Sequence, residues 1–281
     1  MTAVAARSSW SNAFGIVGAA VCAETNMLNA FESVTLVISI VIASIACLWL
    51  LHQIWPSEQR RKHNDLIGWQ ISVIGTTYAV IVAFMLYAVW TNFQTADGNA
   101  EAEANCLVDM ARAANGLPQE SRLKIQSLAR DYVNVMLTQE WPAMSRVSFS
   151  PAAVRIVEEL WTTATSTETR NASEQTILSR TLAELSAMTE HRRLRLLQVT
   201  SGMPAILWTV LIVGAMITIV SACLFGSENF RLQFVEVLML SVLLSLALVA
   251  IADIARPFQG AVHVTADAFE HARSTLDRLN R

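Results

Sequence analysis

Apolar and polar positions alternate along this chain in long blocks, and the apolar blocks come as two pairs separated by a mixed region. The first block runs over residues 34–51 without a charge and extends to Ile54. The second covers 66–90, also uncharged, with Trp69 and Trp90 towards its ends. The third runs from about Met203 to Phe225, with Pro204 at its start and Gly226 beyond its end. The fourth covers 232–252 and carries one charge, Glu236. Crossing about 30 Å of hydrocarbon as a helix takes about 20 apolar residues, so each block predicts a membrane-spanning helix. Tryptophans at block ends suit the interfacial belt, and proline suits a first helical turn.

Between the pairs the period changes but stays helical. Phe93, Ala96, Ala100, Cys106, Leu107, Met110 and Ala114 recur at three- and four-residue steps or their multiples, so the second helix continues past the bilayer towards Asn115. Gly116-Leu117-Pro118 ends it. A helix follows with Leu123, Ile125, Leu128, Tyr132, Met136 and Leu137 on its apolar face, closed by Trp141-Pro142. After a loop over 143–151, a short helix holds Val154, Val157, Leu160 and Trp161. The Thr/Ser-rich stretch 162–174 predicts a surface turn. A last helix carries Ile177, Leu178, Leu182, Leu185 and Met188 towards an arginine cluster.

The expected fold is therefore all-α and integral to a membrane: four transmembrane helices with a helical extramembrane insert between helices two and three. The division is an N-terminal arm (1–33), helices one and two (34–90), an extramembrane helical domain (91–201), helices three and four (202–254) and a C-terminal tail (255–281). The run 13–23 in the arm is too short to span; it reads as an amphipathic arm, with a cleaved signal peptide as the alternative.

Composition sharpens this picture. Hydrophobic residues make up 53% of the 281 and charged residues 15%, against about 25% charged in soluble proteins. A net charge of −3 argues against nucleic acid as a partner. Arg60, Arg61 and Lys62 in the first hairpin and Arg231 in the second place both hairpins in the cytoplasm. The 91–201 domain and both termini then lie on the extracytoplasmic side of the plasma membrane. In that orientation Cys22 and Cys106 share an oxidising compartment, and Cys47 and Cys223 lie within the bilayer.

Candidate chemistry is sparse. No nucleophile elbow, phosphate loop or paired metal-ligand motif is present, so neither a catalytic residue, a metal nor a cofactor is expected, and the protein is read as no enzyme. Glu190 and His191 read as a solvated helix face rather than a metal pair. Asn64 or Asp65 is a natural N-cap for the second helix, and Glu103 caps or pairs inside the helical region. Charged residues at membrane boundaries carry more weight. Glu236 reaches the interface or pairs with Arg231; Asp253 and Arg256, three apart, pair on one face. Arg192, Arg193 and Arg195 either attract anions and lipid headgroups or snorkel from a basic helix end.

One stretch carries a resemblance. In residues 63–118, Gly68, then Gly75, Tyr78, Ala79, Val80, Ala83 and Phe84, then Trp90 and Phe93, then Glu103, Ala104, Asn105 and Leu107, then Gly116-Leu117-Pro118 follow a pattern that resembles an uncharacterised bacterial membrane family labelled "bestrophin-like domain". RRLRLLQVTSGMPAILW, LFGSENFRLQ and RPFQGAV extend the likeness over about residues 40–270. The label implies kinship with bestrophins: pentameric anion channels with four membrane helices per subunit, a pore lined by the second helix, and a cytosolic helical domain. No acidic calcium-clasp motif accompanies it here, and the basic first hairpin implies the opposite orientation.

Two function classes follow. One is a homo-oligomeric channel or transport protein for small ions, with a symmetry-axis pore lined by helix two. Ile74, Tyr78, Ile81, Phe84 and Met85 are the pore-lining candidates; the stripe of Ile74, Tyr78, Ile81 and Met85 would also serve to pack on a neighbouring helix. The other is a non-conducting scaffold or sensor that uses the 91–201 domain to bind a partner.

Overall fold

The computed structural model describes residues 30–279. Every described element is helical. The helices are α1 (Ala30–Ile54), α2 (Ser57–Arg61), α3 (Asn64–Ala113), α4 (Gln119–Val135), α5 (Trp141–Met144), α6 (Pro151–Thr165), α7 (Ala172–Thr200), α8 (Ala205–Leu224), α9 (Phe230–Ile254) and α10 (Asp267–Arg278). Four helices are long and apolar enough to cross a membrane: α1, α3, α8 and α9. α1 and α9 cover their apolar blocks with a few residues added, α3 runs on past its block to Ala113, and α8 stops one or two residues short of each end of its block. The N-terminal arm, with its signal-peptide alternative and Cys22, lies outside the described residues.

The chain divides into two compact units. The first comprises residues 30–90 and Met203–Ala255. In it α1 packs against α8 and α9. Its interior holds Leu48, Ile219, Cys223 and Val237 in one cluster, and Tyr78, Val89, Leu211, Ala215, Leu248 and Ile251 in another. Small hydroxyl residues also turn inwards: Ser44, Thr218, Ser241 and Ser245 each donate to a carbonyl of their own helix three or four residues back. This satisfies the hydroxyl and lets neighbouring backbones approach. The outward side chains of the unit include Trp49, Phe84, Met239 and Leu243. Apolar side chains outside and small polar ones inside are what a lipid solvent selects.

The second unit comprises Thr91–Gly202 and Arg256–Arg281 as far as they are described. Here α4 packs on α6 and α10, and α6 on α7. Its core joins Leu107, Met110, Ile125, Tyr132, Met136, Leu160, Leu185 and Met188 with Phe269 and Leu276. Phe269, Ala272 and Leu276 bury one face of α10 in this core.

Several local expectations need correction. Asn64 does not cap α3: its Nδ2 donates to the Gly226 carbonyl at 2.7 Å, and its Oδ1 accepts from the Gly226 amide at 2.9 Å. Trp141-Pro142 does not close the helix that starts at Gln119. The backbone passes through a π turn, Met136–Glu140, into α5, where Pro142 sits in the first turn and no intrahelical donor is needed. The Thr/Ser stretch is helical to Thr165, and the turn is confined to the residues before Ala172. Asn171 caps α7 by accepting from the Glu174 amide at 2.8 Å. The Gly116-Leu117-Pro118 stop holds: α3 tightens into a 3₁₀ turn at Ala114–Gly116, and Leu117 is extended.

Candidate functional site

The second membrane helix presents two different faces between Asn64 and Trp90. On one, Tyr78 is buried and its hydroxyl donates to the Leu211 carbonyl at 2.8 Å. The ring lies on Gly214, where an added Cβ would stand 2.5 Å from ring carbons. Ile81 and Met85 pack against the same cluster, and Ile74 is half-buried. On the other, Val73, Val80, Phe84 and Tyr87 are exposed, with Phe84 at 70%. Steps of seven, four and three residues keep these four side chains on one stripe. The five pore-lining candidates therefore do not share a face. Tyr78 attaches α3 to α8, Ile81 and Met85 pack in the same cluster, and Phe84 alone of the five lies on the open stripe. Their common period left this choice open, since packed and open faces have the same spacing.

The hairpin ends of the four helices are tied by polar groups. Arg60 is fully buried, and its Nη1 donates to the Cys223 carbonyl at 2.5 Å. Gln233 Nε2 donates to the carbonyls of Cys223 and Phe225. These are the last carbonyls of α8 and the turn after it, which have no helical donors of their own. Arg61 pairs with Glu228 at 2.5 Å on the surface. At Gly226 an added Cβ would meet the Arg61 backbone nitrogen at 2.6 Å, so the two hairpins touch through backbone.

The helical unit holds a cluster of charges. Glu103 on α3 and Arg195 on α7 meet in a two-point fork, and neither side chain is open to solvent. Tyr132 on α4, also buried, donates to Glu103 Oε1 and accepts from Arg192 Nη1 at 3.0 Å. Glu140 lies in the π turn. Its Oε1 stands 2.8 Å from Arg192 Nη2 and 3.6 Å from Arg195 Nη2, as ion pairs without hydrogen-bond alignment. Its Oε2 accepts from the Ser150 amide at 2.8 Å. The π turn is what lets Tyr132, Met136 and Glu140 all face inwards. The Arg195 guanidinium also lies 5.6 Å from the Trp141 ring centre, and its Nη1 is 2.7 Å from Met144 Sδ.

Two carboxylates and two guanidiniums make this cluster neutral, the condition under which buried charges are tolerated. Burial, reinforced by Glu103, pushes the Tyr132 phenol well above its ordinary value. Burial alone would lower Arg195, but Glu103, Tyr132 and Glu140 outweigh it and hold the guanidinium above its usual range.

Arg192 and Arg195 are therefore interior counter-ions and not cations offered to headgroups. A linear sequence shows three arginines but not the carboxylates that await two of them. Arg193 is exposed and pairs with Glu190 at 2.6 Å. His191 Nδ1 lies 3.2 Å from Asn99 Oδ1. Glu236 is exposed, and among the described residues no ion pair joins it to Arg231. Asp253 and Arg256 are half-buried, and Arg256 Nη1 donates to Gln259 at 3.3 Å. Among the described residues no group of three His, Cys, Asp or Glu could hold a metal ion.

The Bestrophin-like domain profile matches residues 38–269, which is most of the chain. The chain belongs to the Bestrophin-like domain family. Solved bacterial bestrophin homologues share the fold. A point variant from Klebsiella pneumoniae is 13% identical, with a TM-score of 0.64 over 89% of this chain and 99% of that one. A second K. pneumoniae variant is 15% identical, with a TM-score of 0.63 over 88% and 98%. A further membrane-protein variant is 13% identical, with a TM-score of 0.64 over 88% and 97%. The comparison with curated proteins found no match. Among the described residues four helices can span a membrane, in the fold of the bacterial bestrophin homologues.

Proposed function

We propose that the protein is a homo-oligomeric membrane channel for small ions, with its pore on the symmetry axis and the open stripe of α3 facing that axis. The observation that carries the reading is the division of α3 into a face used within the chain and an apolar face left open, in a family whose fold is that of bacterial bestrophin homologues. A pore between subunits needs a helix with one face free of its own chain. On the open stripe Phe84 is the largest wholly apolar side chain and the residue assigned to the constriction, where an apolar ring can gate by excluding water. Ile74, Tyr78, Ile81 and Met85 hold that helix in place from behind.

The orientation follows the basic hairpins, in the plasma membrane, with the helical unit on the extracytoplasmic side. Arg60 is buried and Arg61 is paired, so this orientation rests on Lys62 and Arg231.

Flux through protein-containing liposomes tests the assignment. Phe84→Ala is expected to raise ion flux, while Met239→Ala, an exposed change on α9, leaves it alone. Wild-type flux unchanged by Phe84→Ala would remove Phe84 from the pore. A protein inert in every ion gradient would favour the scaffold reading.

A further inference from the structure

Two thiols meet inside the transmembrane unit. Cys47 on α1 and Cys223 on α8 belong to one packed cluster with Leu48, Ile219 and Val237. The thiols are within hydrogen-bonding reach of each other. Cys223 Sγ also lies 3.9 Å from the Ser44 carbonyl, one turn before Cys47. No disulfide joins them in this structure. Their exposure differs: Cys223 is fully buried, while Cys47 is partly open. Neither takes part in the pore reading or in the charge cluster.

We propose that Cys47 and Cys223 form a peroxide-sensitive dithiol that closes to a disulfide joining α1 to α8. Cys47, the accessible partner, attacks the O–O bond of a peroxide. Its sulfur becomes a sulfenic acid, and the peroxide leaves as water or an alcohol. The Cys223 sulfur then displaces hydroxide from the sulfenic acid, which departs as water with the Cys223 proton, and the S–S bond forms. The peroxide supplies the two-electron oxidation, so no other oxidant is needed. Hydrogen peroxide and a lipid hydroperoxide share this chemistry. The bridge ties α1 to the residue whose carbonyl accepts from Arg60, at the hairpin end of the unit. The inference is independent of the channel reading.

The experiment uses the full chain in membranes, with Cys22 and Cys106 replaced by serine. Membranes are treated with hydrogen peroxide or with cumene hydroperoxide, then alkylated, digested and mapped by mass spectrometry. The expected result is loss of both alkylatable thiols together and a Cys47–Cys223 linked peptide that reductant reverses. Faster closure with cumene hydroperoxide assigns the lipid source, and faster closure with hydrogen peroxide the aqueous one. In Cys223→Ser, dimedone should label Cys47; in Cys47→Ser, Cys223 should stay a free thiol. Separate oxidation of the thiols without a linked peptide, or no oxidation by either peroxide, would overturn the proposal. Dimedone on Cys223 in Cys47→Ser would overturn the assigned roles. Should either serine variant fail to fold, the linked peptide in the parent chain still decides the matter.

Discussion

Arg195 grips Glu103 through two nitrogens, Nε to Oε2 at 2.7 Å and Nη2 to Oε1 at 3.1 Å, across 92 residues of chain and away from all solvent. The contact joins α3 to α7, the two helices of the helical unit that lead out of and back to the membrane blocks. Removing one partner leaves the other charged and unpaired. Arg195→Met is therefore expected to cost about 3–5 kcal/mol, and Glu103→Leu a similar amount. The double change removes both charges and should recover most of the loss. Thermal unfolding of the detergent-solubilised protein measures this. Additive single-variant losses in the double variant would show that the two residues do not act as a pair.

Tyr132 gives the same cluster a pH dependence. Its folded-state pKa is raised above the value of about 10 expected for an exposed tyrosine. The protonated phenol is thus favoured by folding. That contribution is complete below the unfolded pKa and declines as the pH rises through the interval towards the folded one. Stability measured from neutral pH to above about pH 10 should fall more steeply in the wild type than in Tyr132→Phe. Parallel curves would contradict the assignment.

Gly214 and Gly226 test two close approaches. Alanine at 214 would place a methyl against the Tyr78 ring, which is held by its own hydrogen bond to Leu211. Overpacking of this kind costs about 1–3 kcal/mol. Alanine at 226 would meet backbone of Arg61, which cannot step aside as a side chain can. Both variants should lower the melting temperature, and Tyr78→Leu should relieve the first but not the second. Rescue of Gly226→Ala by Tyr78→Leu would refute the local explanation.

The orientation is open to direct chemistry. A single cysteine replacing Lys62, in a chain whose natural cysteines are serine, should react with a membrane-impermeant maleimide only after the cells are opened. Reaction in intact cells would reverse the orientation and place the helical unit in the cytoplasm.

The membrane helices were legible because lipid imposes a simple rule, about 20 apolar residues without a charge, that needs no knowledge of neighbours. The length of α3 was legible for a related reason: its period runs unbroken through Phe93, Ala96 and Ala100 to Met110. The charge cluster was not. Glu103 has the look of a residue that caps or pairs, but its partner lies far along the chain. Arg192 and Arg195 look like any basic helix end until Glu140 and Glu103 are placed beside them. The π turn was hidden as well, because Met136–Glu140 contains nothing that breaks a helix and Trp141-Pro142 imitates a stop. The pore candidates failed to separate for a geometric reason. The stripe through Tyr78 and the stripe through Phe84 both fit helical spacing, and only the position of Gly214 on α8 tells which face α8 covers.

The native mass of the detergent-solubilised protein, after subtraction of bound detergent, tests the central claim most directly. A pore on a symmetry axis predicts a closed ring of four or more copies, with five the number the bestrophin resemblance implies. A monomer or dimer that persists across several detergents would leave no axis for the open stripe of α3 to line, and would contradict the channel reading.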